Sequence, residues 1–132
     1  MFNRIKRLLG IKESLYERIG GHAAMNVAVD VFYRKVLDDQ CIRYFFEDVD
    51  LDLQRVKQKR FLSMVCGGPH KYTGKQMREA HAHLLALGLN DEHFDHVLDH
   101  LKASLEECGV GPADVAIITQ VAESFRADVL GK

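Results

Sequence analysis

The stretch 71–88, KYTGKQMREAHAHLLALG, is the one on which the reading of the chain turns. Between Gly74 and Gly88 it carries neither glycine nor proline, and its spacing predicts a helix over 75–86. A helix advances by about 100° per residue, so His81 and His83 point in nearly opposite directions. His81 falls among Met77, Leu84 and Leu85 on an apolar face, whereas His83 lies near Gln76 and Glu79 on a polar one. An imidazole in an apolar stripe is by default a core residue held by one hydrogen bond. It becomes a ligand only where other helices bring complementary polar groups to the same place, so the rest of the chain decides its role.

Outward from that stretch the chain reads as helices punctuated by glycine. SLYE at 14–17 has the form of a capping box, Ser14 with Glu17 three residues on, and Gly20-Gly21 stops the short helix it begins. Residues 23–37 form a long, largely apolar helix ending in DDQ, and a short helical turn follows around CIRYFFED. A further helix covers roughly 51–66 and ends at Gly67-Gly68-Pro69. Beyond the loop PHKYTG and the histidine-bearing helix, Asn90 caps a helix from 91 to about 107, with Phe94, Val97, Leu98, Leu101 and Leu105 on one stripe. Gly111-Pro112 opens the last helix, whose apolar positions include Val115, Ile118, Val121, Ala122 and Phe125. No segment alternates as a strand would, and no repeat or linker interrupts the pattern. The fold class is therefore all-α, with one domain over residues 13–132 behind an N-terminal leader segment over residues 1–12.

Within that leader, Phe2, Ile5, Leu8 and Leu9 share one helical face, with Arg4, Lys6 and Arg7 opposite or flanking it. A short leader helix is the expectation, and a weak contact of residues 2–9 with a membrane surface or partner is the alternative. The segment lacks the apolar centre and cleavage site of a signal peptide, and no apolar run approaches the roughly 20 residues that span a bilayer. The 132 residues are 47% hydrophobic and 28% charged with a net charge of −1, an ordinary globular composition without the basic excess of a nucleic-acid binder. Cys41, Cys66 and Cys108 are odd in number and lack CxxC spacing, which suits reduced thiols in a cytoplasmic protein.

The helix over 51–66 carries an anomaly. Its inward stripe holds Leu51, Gln54, Gln58, Phe61, Leu62 and Val65, so two glutamines four residues apart occupy an otherwise apolar face. Burying an amide without partners costs roughly 1–3 kcal/mol, so something polar must meet them. Tyr33 shares a face with Val29, Val36 and Leu37, and its hydroxyl poses the same problem. Either the three side chains satisfy one another or they converge on a small polar ligand. His93, His96 and His100 form a second candidate set, since His96 and His100 are one turn apart and that spacing suits zinc. No carboxylate or cysteine in the local sequence completes an obvious ligand shell, and a solvated histidine-rich face is the preferred reading. His22 and His70, in glycine-flanked loops, carry no signal of their own.

Taken in order, YERIGGH, VFYRKVL, DDQCIRYFFEDVD, QRVKQKRFL, GGPHKYTG and MREAH resemble the group I truncated haemoglobins, and the resemblance runs from about residue 14 to residue 130. No one motif is decisive, but their order, spacing and glycine pairs together are specific. The resemblance implies a shortened globin fold, a two-over-two helical sandwich around haem. It implies His81 as proximal iron ligand, Tyr33 as distal tyrosine, Gln54 and Gln58 as distal glutamines, and Phe46 as the phenylalanine stacked on haem. One axial imidazole leaves the other iron position open to a diatomic gas. A tyrosine hydroxyl and glutamine amides can donate hydrogen bonds to O₂, which gains partial negative charge when bound. Phe61, Leu62 and Phe94, with Met77 and Leu84 beside His81, would complete an apolar wall. Lys57, Lys75 and Arg78 are candidates for the propionates.

Two departures from the family pattern bear on the cofactor. Some cyanobacterial members bond haem covalently through a histidine of the last helix, where AESFRADVL here offers Phe125; the expectation is haem b held non-covalently. Those members also use a histidine as sixth iron ligand where this chain has Lys57. Ligation by Lys57 would require removing a proton of reference pKa about 10.4, which costs roughly 4–5 kcal/mol at neutral pH, so a bridge to a propionate is the chosen reading. The resemblance thus implies binding of O₂, CO and NO. It also raises an enzyme function, dioxygenation of nitric oxide to nitrate with electrons from an external reductase. The competing class is an electron-transfer or gas-sensing haem protein with Lys57 on the iron.

Overall fold

Side chains at the helix starts set most of the element boundaries. The computed structural model describes residues 13–132, and the expected leader helix lies outside the described residues. The elements are α1 (Leu15–Arg18), α2 (Gly21–Leu37), a 3₁₀ turn (Arg43–Phe46), α3 (Leu51–Val65), α4 (Gly74–Leu85), α5 (Asp91–Glu107), α6 (Pro112–Glu123) and α7 (Arg126–Val129). Ser14 Oγ accepts the Glu17 N–H at the start of α1, and the Asp50 carboxylate accepts from Asp52 and Leu53 at the start of α3. Thr73 with Gln76, and Asn90 with His93, form reciprocal capping boxes at α4 and α5.

Three boundaries differ from the sequence pattern. Gly20 has φ +118° and Gly21 has φ +65°, a region that a side chain rarely enters, and this lets α2 start at once behind α1. Thr73 starts α4 at Gly74, a residue assigned above to the loop. The last helix is two helices: the Ser124 N–H is shared between the carbonyls of Gln120 and Val121, and its hydroxyl bonds back to Val121. This local bonding ends α6 and lets the chain turn into α7.

The apolar stripes then dictate the layers. Helix α2 packs against α3 and α5, α5 packs against α6, and α6 closes the arrangement against α3, giving two helix pairs stacked on one another. Val36, Ile42, Leu62, Leu105 and Ile118 are fully buried where these elements meet. Helix α4 stands apart from this core and packs on α7. The chain reaches α4 through a tight turn in which a Cβ on Gly68 would lie 2.4 Å from Ser63 Oγ and 2.8 Å from the Tyr16 ring. Only glycine fits there, so the GGP signal marks a close approach as well as a helix stop. A cleft is left between α4 and the paired layers, and no helix among the described residues is long and apolar enough to cross a membrane.

Candidate functional site

The cleft is open at its mouth, and its empty space, counted out into solvent, is about 1210 Å³. Its walls are mainly apolar and come from every major element. Phe32 and Tyr33 come from α2, and Phe45 and Phe46 from the 3₁₀ turn. Gln54, Lys57, Gln58 and Phe61 come from α3, Met77, His81 and Leu84 from α4, and Phe94 from α5. Ten of the residues singled out in the sequence are thus brought to one cavity. Phe61 packs edge-on against Phe125 and Tyr72, and Tyr33 packs edge-on against Phe46, so the aromatic wall is held by ring contacts.

Three of the expected residues lie elsewhere. Leu62 follows Phe61 by one residue, about 100° round the helix, which turns it away from the cleft and into the closed core. Lys75 is solvated, with its ammonium 4.0 Å from Glu79. Arg78 is bonded to Asp128 at 2.8 Å and to the Lys132 carbonyl, so it ties α4 to the chain end instead of facing the cavity. Lys57 lines the cleft and has no ion-pair partner among the described residues.

His81 sits on the inward face of α4 with Nδ1 2.8 Å from the Met77 carbonyl. A carbonyl accepts only, so Nδ1 carries the proton and Nε2 is the nitrogen with a free lone pair. Burial lowers the His81 pKa; the Met77 bond opposes that shift, and the positive charges of His83 and Lys57 add to it. The imidazole is therefore held neutral, as an iron ligand must be. His83 reaches the cleft lining from an exposed position, although its helical face is polar.

Tyr33 is 4% exposed, and its hydroxyl donates to the backbone carbonyl of Gln54 at 3.2 Å. Burial raises the phenol pKa far above its ordinary value, so the group stays a donor at any physiological pH. The side-chain amides of Gln54 and Gln58 make no hydrogen bond among the described residues, yet both line the cleft. Of the two alternatives left open by the sequence, mutual satisfaction of the three side chains is not what the fold builds. Two unpaired amides and a phenol face an apolar cavity, across which stands an imidazole with one free nitrogen. This donor set fits a haem with a gas on its distal side: haem would supply an iron atom for His81 and for the gas, and the amides and phenol would supply the hydrogen bonds.

Sequence reasoning missed several wall residues, among them Phe32, Phe45, Tyr72, Val97 and Leu101. Phe32 and Phe45 were legible as neighbours of singled-out aromatics, whereas Tyr72 enters from a loop whose path no periodicity reveals. It also missed Arg126, whose guanidinium lies 4.4 Å over the Phe94 ring and bonds Glu123, Asp91 and Asp95. This clamp fixes α7 to the start of α5, and with them one wall of the cavity.

A family model for bacterial-like globins matches residues 14–130. A group 1 truncated haemoglobin of Synechocystis sp. is 47% identical over 122 residues, which cover 90% of this chain and 98% of that protein. The truncated haemoglobin of Tetrahymena pyriformis in its Fe(III) form superposes with a TM-score of 0.80 at 42% identity, covering 91% of this chain and 100% of that one. Its tyrosine-to-phenylalanine variant and two glutamine-to-glutamate variants are similar in the same way. The 2/2 haemoglobin of Synechococcus sp., in the cyanomet state with covalently attached haem, superposes with a TM-score of 0.85 at 36% identity, covering 91% of this chain and 100% of that one. Agreement of sequence and fold over nearly all of the domain, around a cavity with a free imidazole nitrogen, establishes that the chain belongs to the group 1 truncated haemoglobins, a family of globins that bind gases such as O₂ at haem.

Proposed function

We propose that this globin holds haem b non-covalently, with His81 as the only axial histidine, and that it binds O₂ reversibly at the open side of the iron. The observation that carries this reading is the division of polar groups in one cleft: a partly buried imidazole on α4 with one free nitrogen, and on α2 and α3 a phenol bonded to a backbone carbonyl beside two side-chain amides without partners among the described residues. Tyr33, Gln54 and Gln58 donate to the bound gas. The Tyr33 hydroxyl turns from the Gln54 carbonyl toward the ligand, and the released carbonyl stays within the polar end of α3. The tyrosine and glutamines replaced in the Tetrahymena variants have the same mutual spacing as these three residues, which supports a shared role. Phe125 packs on Phe61 at the cavity wall and has no atom able to attach haem covalently, which supports non-covalent binding, unlike the Synechococcus structure.

Lys57 holds a haem propionate in this reading, its ammonium lining the cleft without an ion-pair partner among the described residues. With a reductase as electron donor, the oxygenated protein converts nitric oxide to nitrate. The three free cysteines suit the reducing cytoplasm in which such a reductase works. The test is consumption of NO by the oxygenated protein, with nitrate as product, followed by sustained turnover on adding a reductase and NADH. Stoichiometric NO loss without turnover under any reductase would leave a gas carrier and remove the enzyme function. The second reading, a redox or sensing protein with Lys57 on the iron, rests on the same unpaired amine. It requires a low-spin ferric spectrum that strengthens as pH rises and disappears in Lys57→Ala.

A further inference from the structure

The histidine set on α5 separates into two parts in the fold. His93 is used by its own helix: Nδ1 accepts the Asn90 N–H, and the ring packs edge-on against Phe45 at 4.9 Å. His96 and His100 turn instead toward the end of α2, where Asp39 supplies the carboxylate that the local sequence lacks. His96 Nδ1 lies 2.8 Å and His100 Nε2 2.6 Å from the same oxygen, Asp39 Oδ2. The other oxygen, Oδ1, accepts the Cys41 N–H at 2.9 Å, and the Asp39 carbonyl accepts from Ile42 and Arg43. Asp39 is therefore held from both ends of its side chain, with one oxygen aimed at two converging imidazole nitrogens.

We propose that Asp39, His96 and His100 form a second metal site, separate from the haem cleft, for a divalent transition ion of the zinc class. Two imidazoles and one carboxylate are the ligand set that such ions prefer, and three protein ligands leave a position for water. All three side chains are half-buried, so the ion would be shielded on the protein side and open to solvent on the other. At tetrahedral zinc with bonds of about 2.0–2.1 Å the ligand atoms stand roughly 3.3 Å apart, so the cluster needs to open by only ~0.5–0.7 Å through side-chain rotation. Ligand atoms of Cys41, Glu92 and His96 also lie within 4.8 Å of one another, which places a thiol and a second carboxylate at the edge of the same site.

Protons balance as follows. Without metal, each imidazole donates an N–H to Oδ2. On binding, each coordinating nitrogen gives up that proton; a neutral histidine shifts its one proton through solvent to the other ring nitrogen, and an imidazolium already protonated there releases one to solvent. Affinity therefore falls as pH is lowered. The ion would join α5 to the segment between α2 and the 3₁₀ turn, and both carry cavity wall residues, Phe94 and Val97 on one side and Ile42 on the other.

The experiment is calorimetric titration of the haem-loaded, chelator-treated protein with zinc chloride at neutral pH. One zinc per chain with a micromolar dissociation constant is expected, together with a rise in thermal midpoint of roughly 5–10 °C at a hundredfold excess over that constant. His96→Ala, His100→Ala and Asp39→Asn should each weaken binding more than tenfold, whereas His22→Ala and His70→Ala should not. Zinc-edge X-ray absorption should show imidazole scattering with nitrogen or oxygen at about 2.0–2.1 Å. That spectrum tests the ligands in the parent protein even where a variant folds poorly. The proposal is overturned by absence of saturable binding below about 100 μM zinc, by binding that survives the paired His96→Ala/His100→Ala change, or by an edge spectrum without imidazole.

Discussion

Two histidine sites on consecutive helices, His81 on α4 and the His96–His100 pair on α5, have been given opposite surroundings. His81 is partly buried in the wall of an apolar cleft, donates one hydrogen bond to the Met77 carbonyl of its own helix, and has its pKa lowered by burial. His96 is a third exposed, shares a carboxylate with His100, and has its pKa raised by the Asp39 bond, with the charges of Glu92 and Asp99 adding to it. The same side chain is kept neutral in one place and favours its charged form in the other. A partly buried imidazole in an apolar cleft, with one free nitrogen, would suit a haem iron that exchanges gas away from bulk water. A wet, carboxylate-paired imidazole suits protons and hydrated ions. What an imidazole does in this molecule is decided less by its helix than by the residue that arrives opposite it.

The largest effect expected from breaking this contrast is at His81. His81→Ala should lose most of its haem, or retain it without a histidine-ligated ferrous spectrum, while His96→Ala should keep both. Equal haem retention and O₂ binding in the two variants would erase the distinction. On the distal side, Tyr33→Phe should speed O₂ release by about ten- to hundredfold, as loss of a charge-assisted bond worth roughly 1.5–3 kcal/mol requires. The effect on uncharged CO should be smaller, and changes at Tyr33, Gln54 and Gln58 should not add, because the three groups share one ligand. Stopped-flow displacement of O₂ by CO reads this directly, and unchanged rates would remove Tyr33 from the site.

A smaller effect is expected from pH on the other site. Partial burial pushes the Asp39 pKa up, but the His96 and His100 donors outweigh it and hold the carboxyl at about 2, below its unfolded value. Its contribution to stability is therefore present above about pH 4 and is lost as pH falls toward 2. His96 has the opposite sign: its raised pKa contributes stability below about pH 6.5 that is lost as pH rises through the folded value. With a chelator present, Asp39→Asn should flatten both limbs of the stability profile measured by urea unfolding, and a profile parallel to the parent's would refute the coupling. The smallest effect is at Lys57, where Lys57→Ala should leave the ferric spectrum near neutral pH almost unchanged while haem is lost somewhat faster.

How much of this was legible in the chain differs between the two sites for a physical reason. Tyr33, Gln54, Gln58 and His81 are polar groups on apolar helical faces, and each announces its burial through the spacing of its own neighbours. The helices carrying them were readable to within a few residues, because glycine stops such as Gly20-Gly21 and Gly67-Gly68 are local chemistry. Asp39 could not be found in this way. It reaches His96 across 57 residues of sequence from an irregular segment, so only the packing of α2 on α5 brings them together. Lys75 and Arg78 were assigned by charge and helix position, but Arg78 found Asp128, and long flexible side chains go to whichever partner the tertiary fold presents. The break at Ser124 was hidden because the residues on both sides of it continue the apolar pattern.

The most direct test of the central claim is the absorption spectrum of the protein loaded with haem and recorded in the ferric, deoxygenated ferrous and oxygenated states. The account predicts one haem per chain, a five-coordinate ferrous form with a single histidine ligand, and a stable six-coordinate form on adding O₂. A ferrous protein already six-coordinate without gas, with a second protein ligand that O₂ fails to displace, would contradict it.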